Sequence, residues 1–202
     1  MNIPSKYLEN AVDQLSSLPG IGRRTALRLA LNLLKRSETE IDDFSKSLID
    51  MKHKIEMCSS CGNISDKNLC SICENSNRDN KTICVVEDIR DVMAIESTSS
   101  YKGIYHVLGG LISPMDGIGP LDLNIESLVN KVASQEIDEI IFALSPTMEG
   151  DTTNFYLYKK LQSFSPFITT LSRGVAVGSE LQYADELTLS RSLLQRQEFK
   201  MS

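Results

Sequence analysis

Four of the five cysteines in this 202-residue chain fall in one array, Cys58 and Cys61 followed by Cys70 and Cys73, with the spacing C-x2-C-x8-C-x2-C. Two such knuckles separated by a short polar loop present four soft sulfurs to one tetrahedral ion, and Gly62 relieves the turn after the second cysteine. A four-thiolate tetrahedron suits zinc. With every position filled by protein, no place is left for a reactive water, so the expected site is structural rather than catalytic. Two disulfides are the competing reading of the same residues, and paired C-x-x-C spacings in a reducing compartment favour metal. The stretch from Lys54 to Asn77 has few apolar residues, and a bound metal supplies on the order of 10 kcal/mol to such a segment. Cys84 stands apart, inside the apolar run Ile83-Cys84-Val85-Val86, where a buried inert thiol is expected.

The second chemically suggestive group is basic. Residues 1–36 hold Lys6, Arg23, Arg24, Arg28, Lys35 and Arg36 against only Glu9 and Asp13. This surplus of four positive charges, in a chain whose total is −6, leaves −10 for the remainder. Such asymmetry focuses a polyanion at one end. Leu8, Val12 and Leu15 mark one helical stripe, Leu18-Pro19-Gly20-Ile21-Gly22 breaks it, and Ala26, Leu29, Ala30 and Leu33 mark a second helix. At 100° per residue Arg24, Arg28 and Lys35 lie within about 40° of one another, opposite the apolar stripe. A P-G-I-G turn before a basic helix resembles the helix-hairpin-helix motif, in which backbone N–H groups at a helix start meet a phosphate without reading bases. A plain α-hairpin with a solvated basic face is the alternative; the facing arginines favour DNA. Leu27 and Leu31 flank that face and are candidates to seat against another subunit. Ile41, Phe44, Leu48, Met51 and Ile55 continue as one apolar seam and predict a third, core helix.

A third group is acidic, and its placement depends on a change of pattern after Lys81. Thr82–Glu87, Ile104–Leu108, Glu139–Leu144 and Phe167–Leu171 read as strands. Helices are expected from Asp88 or Ile89 to Glu96, with Asp88 as the cap, then over Ile125–Ala133 and Asn154–Phe164. Apolar runs alternating with helices imply a parallel sheet in an α/β layer, where ligands meet the C-terminal strand ends. Glu87 lies at one such end, and Glu149 and Asp151 lie just after another. This resembles the Toprim arrangement, a glutamate after the first strand and a D-x-D pair after a later one, which holds magnesium. Glu149-x-Asp151 departs from D-x-D, so acids that cap helices and order loops outweigh catalysis. Tyr156 and Tyr158 serve a helix face and supply no evident nucleophile.

Other features exclude more than they assert. The longest apolar run, Ile140–Leu144, is strand-sized and far short of a membrane span. The segment MNIPSKYLEN lacks the apolar core of a signal peptide, and with reduced cysteines this points to the cytoplasm. No G-x-x-x-x-G-K-[ST] supports a P-loop. The long segment Leu108–Pro120 reads as a functional or partner-contacting loop. His106 is expected to be packed and His53 solvated, neither with a catalytic partner. The fold class is thus α/β, with an N-terminal helical hairpin domain at 1–53, a four-cysteine finger at 54–78, a Toprim-like parallel-sheet domain at 79–172 and a C-terminal region at 173–202.

Taken in order, these segments resemble one family, the bacterial recombination mediator RecR. The likeness rests on L-P-G-I-G at 18–22, the cysteine array and V-V-E-D-I-R-D-V at 85–92. It continues through Y-H-V-L-G-G-L-I-S-P-M-D-G-I-G-P at 105–120, P-T-M-E-G-D-T-T at 146–153 and R-G-V-A-V-G-S-E-L-Q-Y-A-D-E-L-T-L at 173–189. The resemblance implies a non-enzymatic DNA-repair protein, a homotetrameric ring (a dimer of dimers joined through the hairpin and C-terminal regions) that encircles single- or double-stranded DNA without sequence preference. It also implies work with RecO, and in many bacteria RecF, to load RecA onto gaps coated with single-strand-binding protein. The DNA contacts would fall on Arg24 and Arg28, with Lys35 beside them. Arg23 stands where the family often has a small residue or proline. Glu87, Glu149 and Asp151 match the Toprim acids, on the face implied to meet RecO; magnesium there is not expected to be catalytic. Two alternatives remain: a magnesium-dependent Toprim nuclease, primase or topoisomerase-like enzyme, and a zinc-ribbon interaction module without DNA contact.

Overall fold

A computed structural model describes residues 3–164, 166–196 and 198 of the chain. It divides into two compact units, residues 1–55 and 56–202.

The first unit is helical. Helix α1 (Lys6–Ser16) starts at Ser5, whose hydroxyl accepts from the Leu8 N–H, satisfying one of the orphan donors of the first turn. The chain then reverses through Leu18-Pro19-Gly20-Ile21, where the Ile21 N–H donates to the Leu18 carbonyl at 3.1 Å and Gly20 takes φ +79°. Proline before a left-handed glycine is what a type II turn demands. Helix α2 (Arg23–Leu33) returns against α1 and buries Ala26 and Ala30 on Val12 and Ile3, with Leu8, Leu15, Ile21 and Leu27 partly covered. The two small alanines let the helix axes approach closely. Helix α3 (Glu38–Lys54) opens with a reciprocal capping box between Ser37 and Glu40.

The core role predicted for α3 does not hold. None of its residues is buried, and Phe44, Leu48, Met51 and Ile55 are exposed while Ile41 is half-covered. Its 3-4 spacing makes a seam as expected, but the two short helices before it offer too little surface to cover that seam.

The second unit begins with the cysteine knuckle. Strands β1 (Glu56–Met57) and β2 (Ile64–Ser65) pair antiparallel, and a one-turn helix α4 (Ser71–Glu74) follows Cys70. A four-stranded, all-parallel sheet comes next, in the order β4-β3-β5-β6, built from β3 (Asp79–Val86), β4 (Gly103–Val107), β5 (Glu139–Phe142) and β6 (Phe167–Thr170). Crossover helices α5 (Ile89–Ser97), α6 (Ile125–Ser134) and α7 (Met148–Leu161) connect them. Both sheet faces are covered over the second half of β3, which is why Ile83–Val86 is unbroken apolar sequence. Ile83 and Val85 enter one cluster with Ile140, Phe142, Leu128 and Leu157; Cys84 and Val86 enter another with Tyr105, Val107 and Val92. Cys84 is buried, which pushes its thiol up to about 12 and leaves it inert. Asp88 caps α5 as predicted, with Asp91 completing a capping box.

Helix α7 begins six residues before the expected Asn154. Thr147 caps it by accepting from the Gly150 N–H, so Glu149 and Asp151 sit in its first turn rather than in a loop. Negative side chains belong there, where the helix dipole is positive. Beyond β6 the chain runs irregularly to α8 (Glu186–Leu194), capped by Asp185.

Candidate metal centre and nucleic-acid interface

The knuckle assembles from local hydrogen bonds. The Cys58 N–H donates to the Asn63 carbonyl at 2.7 Å, and the Gly62 N–H to the Cys58 carbonyl at 2.9 Å, so the first C-x-x-C wraps around its own sulfurs. The Cys70 N–H points at the Cys58 sulfur at 3.3 Å, and the Cys61 and Cys70 sulfurs approach to 3.6 Å. A tetrahedron with zinc–sulfur bonds of about 2.3 Å has edges of about 3.8 Å. All four sulfurs lie within 4.8 Å of one another, and no other group of three or more His, Cys, Asp or Glu ligand atoms does so among the described residues. The cysteines are all free thiols. Their protonation suits a cation: the hydrogen bond between them raises Cys61 and, seen from the other side, brings Cys73 down to about 5, while burial opposes charge on each. Crowded buried thiolates of this kind are stabilised by a dication. These residues fit structural zinc.

The knuckle is also tied to the sheet. The Val107 N–H at the end of β4 donates to the Cys61 carbonyl at 2.7 Å. Lys131 of α6, almost wholly buried, donates through Nζ to the Ser60 carbonyl and to Ser60 Oγ. Gly62 has φ +73°, and a Cβ there would stand 2.7 Å from Asn124 Nδ2 and 2.9 Å from the Val107 carbonyl. Close approach as well as the turn therefore demands glycine. None of these contacts has a local signature in the sequence.

In the helical unit, Arg24, Arg28 and Lys35 line one shallow groove of about 400 Å³ together with Leu27, Leu31 and Asn32. Among the described residues these three cations make no ion pair or hydrogen bond through their side chains. Arg23 differs: its guanidinium donates to Asp13 at 2.7 Å and lies 3.5 Å from Glu9, both on α1. The start of α2 is likewise open. Gly22 offers no side-chain cap, and a Cβ at Gly20 or Gly22 would meet nothing within 4 Å.

The acids of the sheet unit do not converge. Glu87 accepts from Ser145 Oγ at 3.1 Å, and Glu149 is exposed. Asp151 accepts two hydrogen bonds from Arg173, at 2.5 and 3.2 Å, and lies 3.8 Å from Arg191 of α8. The Arg173 guanidinium holds the Asp151 carboxyl below the usual range. A further pair, Arg78 with Glu96, is completed by the Tyr105 hydroxyl, which donates to Glu96 at 2.7 Å. Residues 18 apart in sequence carry no periodic signal of such a pairing. His106 is packed, as expected: Nε2–H donates to the Asn124 carbonyl at 2.7 Å and burial lowers it to about 4. His53 is exposed.

The fold and the knuckle together define a class of multidomain protein. Residues 81–170 match the Toprim domain family, 8–52 the RecR helix-hairpin-helix, 57–75 the RecR four-cysteine zinc finger domain and 174–197 the RecR C-terminal family. The chain is 57% identical over 199 residues to the recombination protein RecR of Porphyromonas gingivalis, covering 98% of this chain and 96% of that one. It is 58% identical over 200 residues to the recombination protein RecR of Flavobacterium johnsoniae, covering 99% and 97%. The chain belongs to the RecR family. No described helix is long and apolar enough to cross a membrane.

Proposed function

We propose that this protein serves recombinational DNA repair by gripping DNA through its backbone, without catalysis, as the recombination-protein names of its relatives suggest. The observation that carries the reading is the trio Arg24, Arg28 and Lys35, two cations of α2 and one just past its C-terminal end that line one groove with no internal counter-charge. Cations left unpaired in a chain of net charge −6 are suited to an external polyanion, and the open glycine turn lets a phosphate approach the first N–H groups of the helix. Binding would be blind to sequence, for single or double strands alike. On this reading 1–53 is the DNA-binding domain, 54–78 the finger, 79–172 the Toprim domain and 173–202 an oligomerisation region.

Four copies in a ring would multiply weak phosphate contacts by avidity. The uncovered apolar seam of α3 supports self-association, since an apolar stripe of that length seeks a partner. With the resemblance to RecR as the ground, the partners are RecO and, where present, RecF, and the outcome is loading of RecA onto protein-coated gaps in the cytoplasm. The competing enzymatic reading predicts magnesium-dependent cleavage or strand passage that Glu87→Ala abolishes.

The test is fluorescence anisotropy of a labelled oligonucleotide at low salt with Arg24→Glu/Arg28→Glu. Binding should vanish while zinc content and circular dichroism stay as in the parent protein. Parental affinity in that variant overturns the assignment, and a single-subunit mass by light scattering removes the ring.

A further inference from the structure

Magnesium is what a Toprim acid set implies, and this chain's acids do not fit it. A hard, octahedral cation needs carboxylate oxygens converging with room for several waters. Glu87, Glu149 and Asp151 form no group of ligand atoms within 4.8 Å. Glu87 is engaged by a hydroxyl from Ser145. Glu149 is exposed at the start of α7. Asp151 has both carboxylate oxygens taken by the guanidinium of Arg173, with Arg191 standing beyond.

The two arginines belong to the segment that follows the sheet. Arg173 lies just past β6, and Arg191 lies on α8. Both line a polar cavity of about 680 Å³ with Thr170, Ser172, Ser192 and Gln195. Neither α8 nor the irregular run before it contributes a residue to the buried core, and Val177, Leu181, Tyr183, Leu187, Leu193 and Leu194 are exposed. Packing therefore does little to hold this segment, and the ion pairs on Asp151 are its strongest directional tie. A bidentate guanidinium–carboxylate contact is the arrangement best suited to that purpose, because it fixes orientation as well as distance.

We propose that Asp151 is the anchor of the C-terminal segment and not a magnesium ligand: Arg173 and Arg191 supply at this carboxylate the positive charge that a divalent cation would bring. The Toprim acid position is thereby turned into an intramolecular latch, which fastens the segment from 171 to 195 onto the first turn of α7.

Limited chymotrypsin digestion tests this on the full chain, because Leu181 and Tyr183 are exposed cleavage sites within the latched segment. Cutting there, followed by mass spectrometry, should be about tenfold faster in Asp151→Asn than in the parent. Arg173→Gln should also cut faster than the parent but no faster than Asp151→Asn, since Arg191 remains beside the carboxylate. The Asp151→Asn/Arg173→Gln pair should be no faster than Asp151→Asn alone, because the Arg173 contact is already lost in it. Magnesium at about 10 mM should leave the parental rate unchanged and give no saturable heat in calorimetry. Parental cutting rates in both single variants overturn the latch, as does saturable magnesium binding by the parent that Asp151→Asn abolishes. Should Asp151→Asn lose its circular dichroism signal, Arg173→Gln, which leaves α7 intact, is read on the same scale.

Discussion

The two units treat their charges in opposite ways. Arg24 and Arg28 on α2, and Lys35 just past its end, face solvent with no internal counter-charge. In the sheet unit the partly buried charges are answered: Arg78 by Glu96, Asp151 by Arg173, and the near-buried Lys131 by the carbonyl and hydroxyl of Ser60. An answered charge restrains the fold, while an unanswered one is available to a ligand. Arg23 shows the distinction between neighbours, since it is spent on Asp13 and Glu9 whereas Arg24 is not. Consecutive arginines in one helix are thus divided between one that holds the hairpin and one left open to a ligand.

The largest effect that would sharpen this contrast is metal loss. Chelation, or Cys61→Ser, removes on the order of 10 kcal/mol of folding free energy from the knuckle. The damage should pass into β4 through the Val107–Cys61 hydrogen bond, so hydrogen exchange at the Val107 amide should rise with exchange in the knuckle. DNA binding by the hairpin should survive, because no cysteine lies in residues 1–55. Loss of binding together with the zinc would break the division of labour between the two units.

Next comes the answered pair at Arg78. Its side chain is 14% exposed and that of Glu96 29%, so Arg78→Met strands a mostly covered carboxylate and should cost about 3 kcal/mol in denaturant titrations. The pH dependence follows the same pair. The hydrogen bond from Arg78 depresses the Glu96 carboxyl, so its stabilisation is complete above the unfolded value of about 4.3 and is lost as pH falls through the lower folded value. His106 adds to acid lability from higher pH. Its folded value of about 4 lies below the ordinary one, so stability declines as pH drops from about 6.5 toward that value. In His106→Gln the first part of that decline should disappear.

On the unanswered side, Arg24→Gln/Arg28→Gln should leave the unfolding midpoint within about 0.5 kcal/mol of the parent, as surface substitutions without partners do. The slope of log affinity against log salt should fall by about 2 for each subunit that engages the DNA. A large stability loss with an unchanged slope would place these arginines among the answered charges.

How much of this is legible in the sequence follows the range of the interaction. The cysteine array needs only spacings within 16 residues, and its four members come together as read. The four strands are legible because each is an apolar run, though β3 starts at Asp79 rather than Thr82, where a register irregularity lets polar residues pair. The seam on α3 is periodic as expected but lies outside any core, because periodicity names an apolar face without naming its cover. Glu149-Gly150-Asp151 looks like a turn, which places the start of α7 too late, whereas Thr147 makes it a capped first turn. Partners 22 residues or more apart, such as Asp151 with Arg173, leave no trace in local pattern.

Arg23 gives the smallest effect and the finest discrimination. Its ion pairs are roughly half exposed, at 48% for Arg23 and 46–48% for its acids, and exposed pairs of this kind contribute about 0.2–1 kcal/mol. Arg23→Gln should therefore shift the unfolding midpoint by no more than that, and the shift should shrink in high salt as screening removes it. It should also leave the salt slope of DNA binding almost unchanged, since its charge is already neutralised by Asp13. Arg23→Gln with Asp13→Asn should be no less stable than Arg23→Gln alone if the pair is the whole of its role. A slope change as large as that from Arg24→Gln would mean that DNA draws Arg23 away from α1, and that the boundary between the two kinds of charge moves on binding.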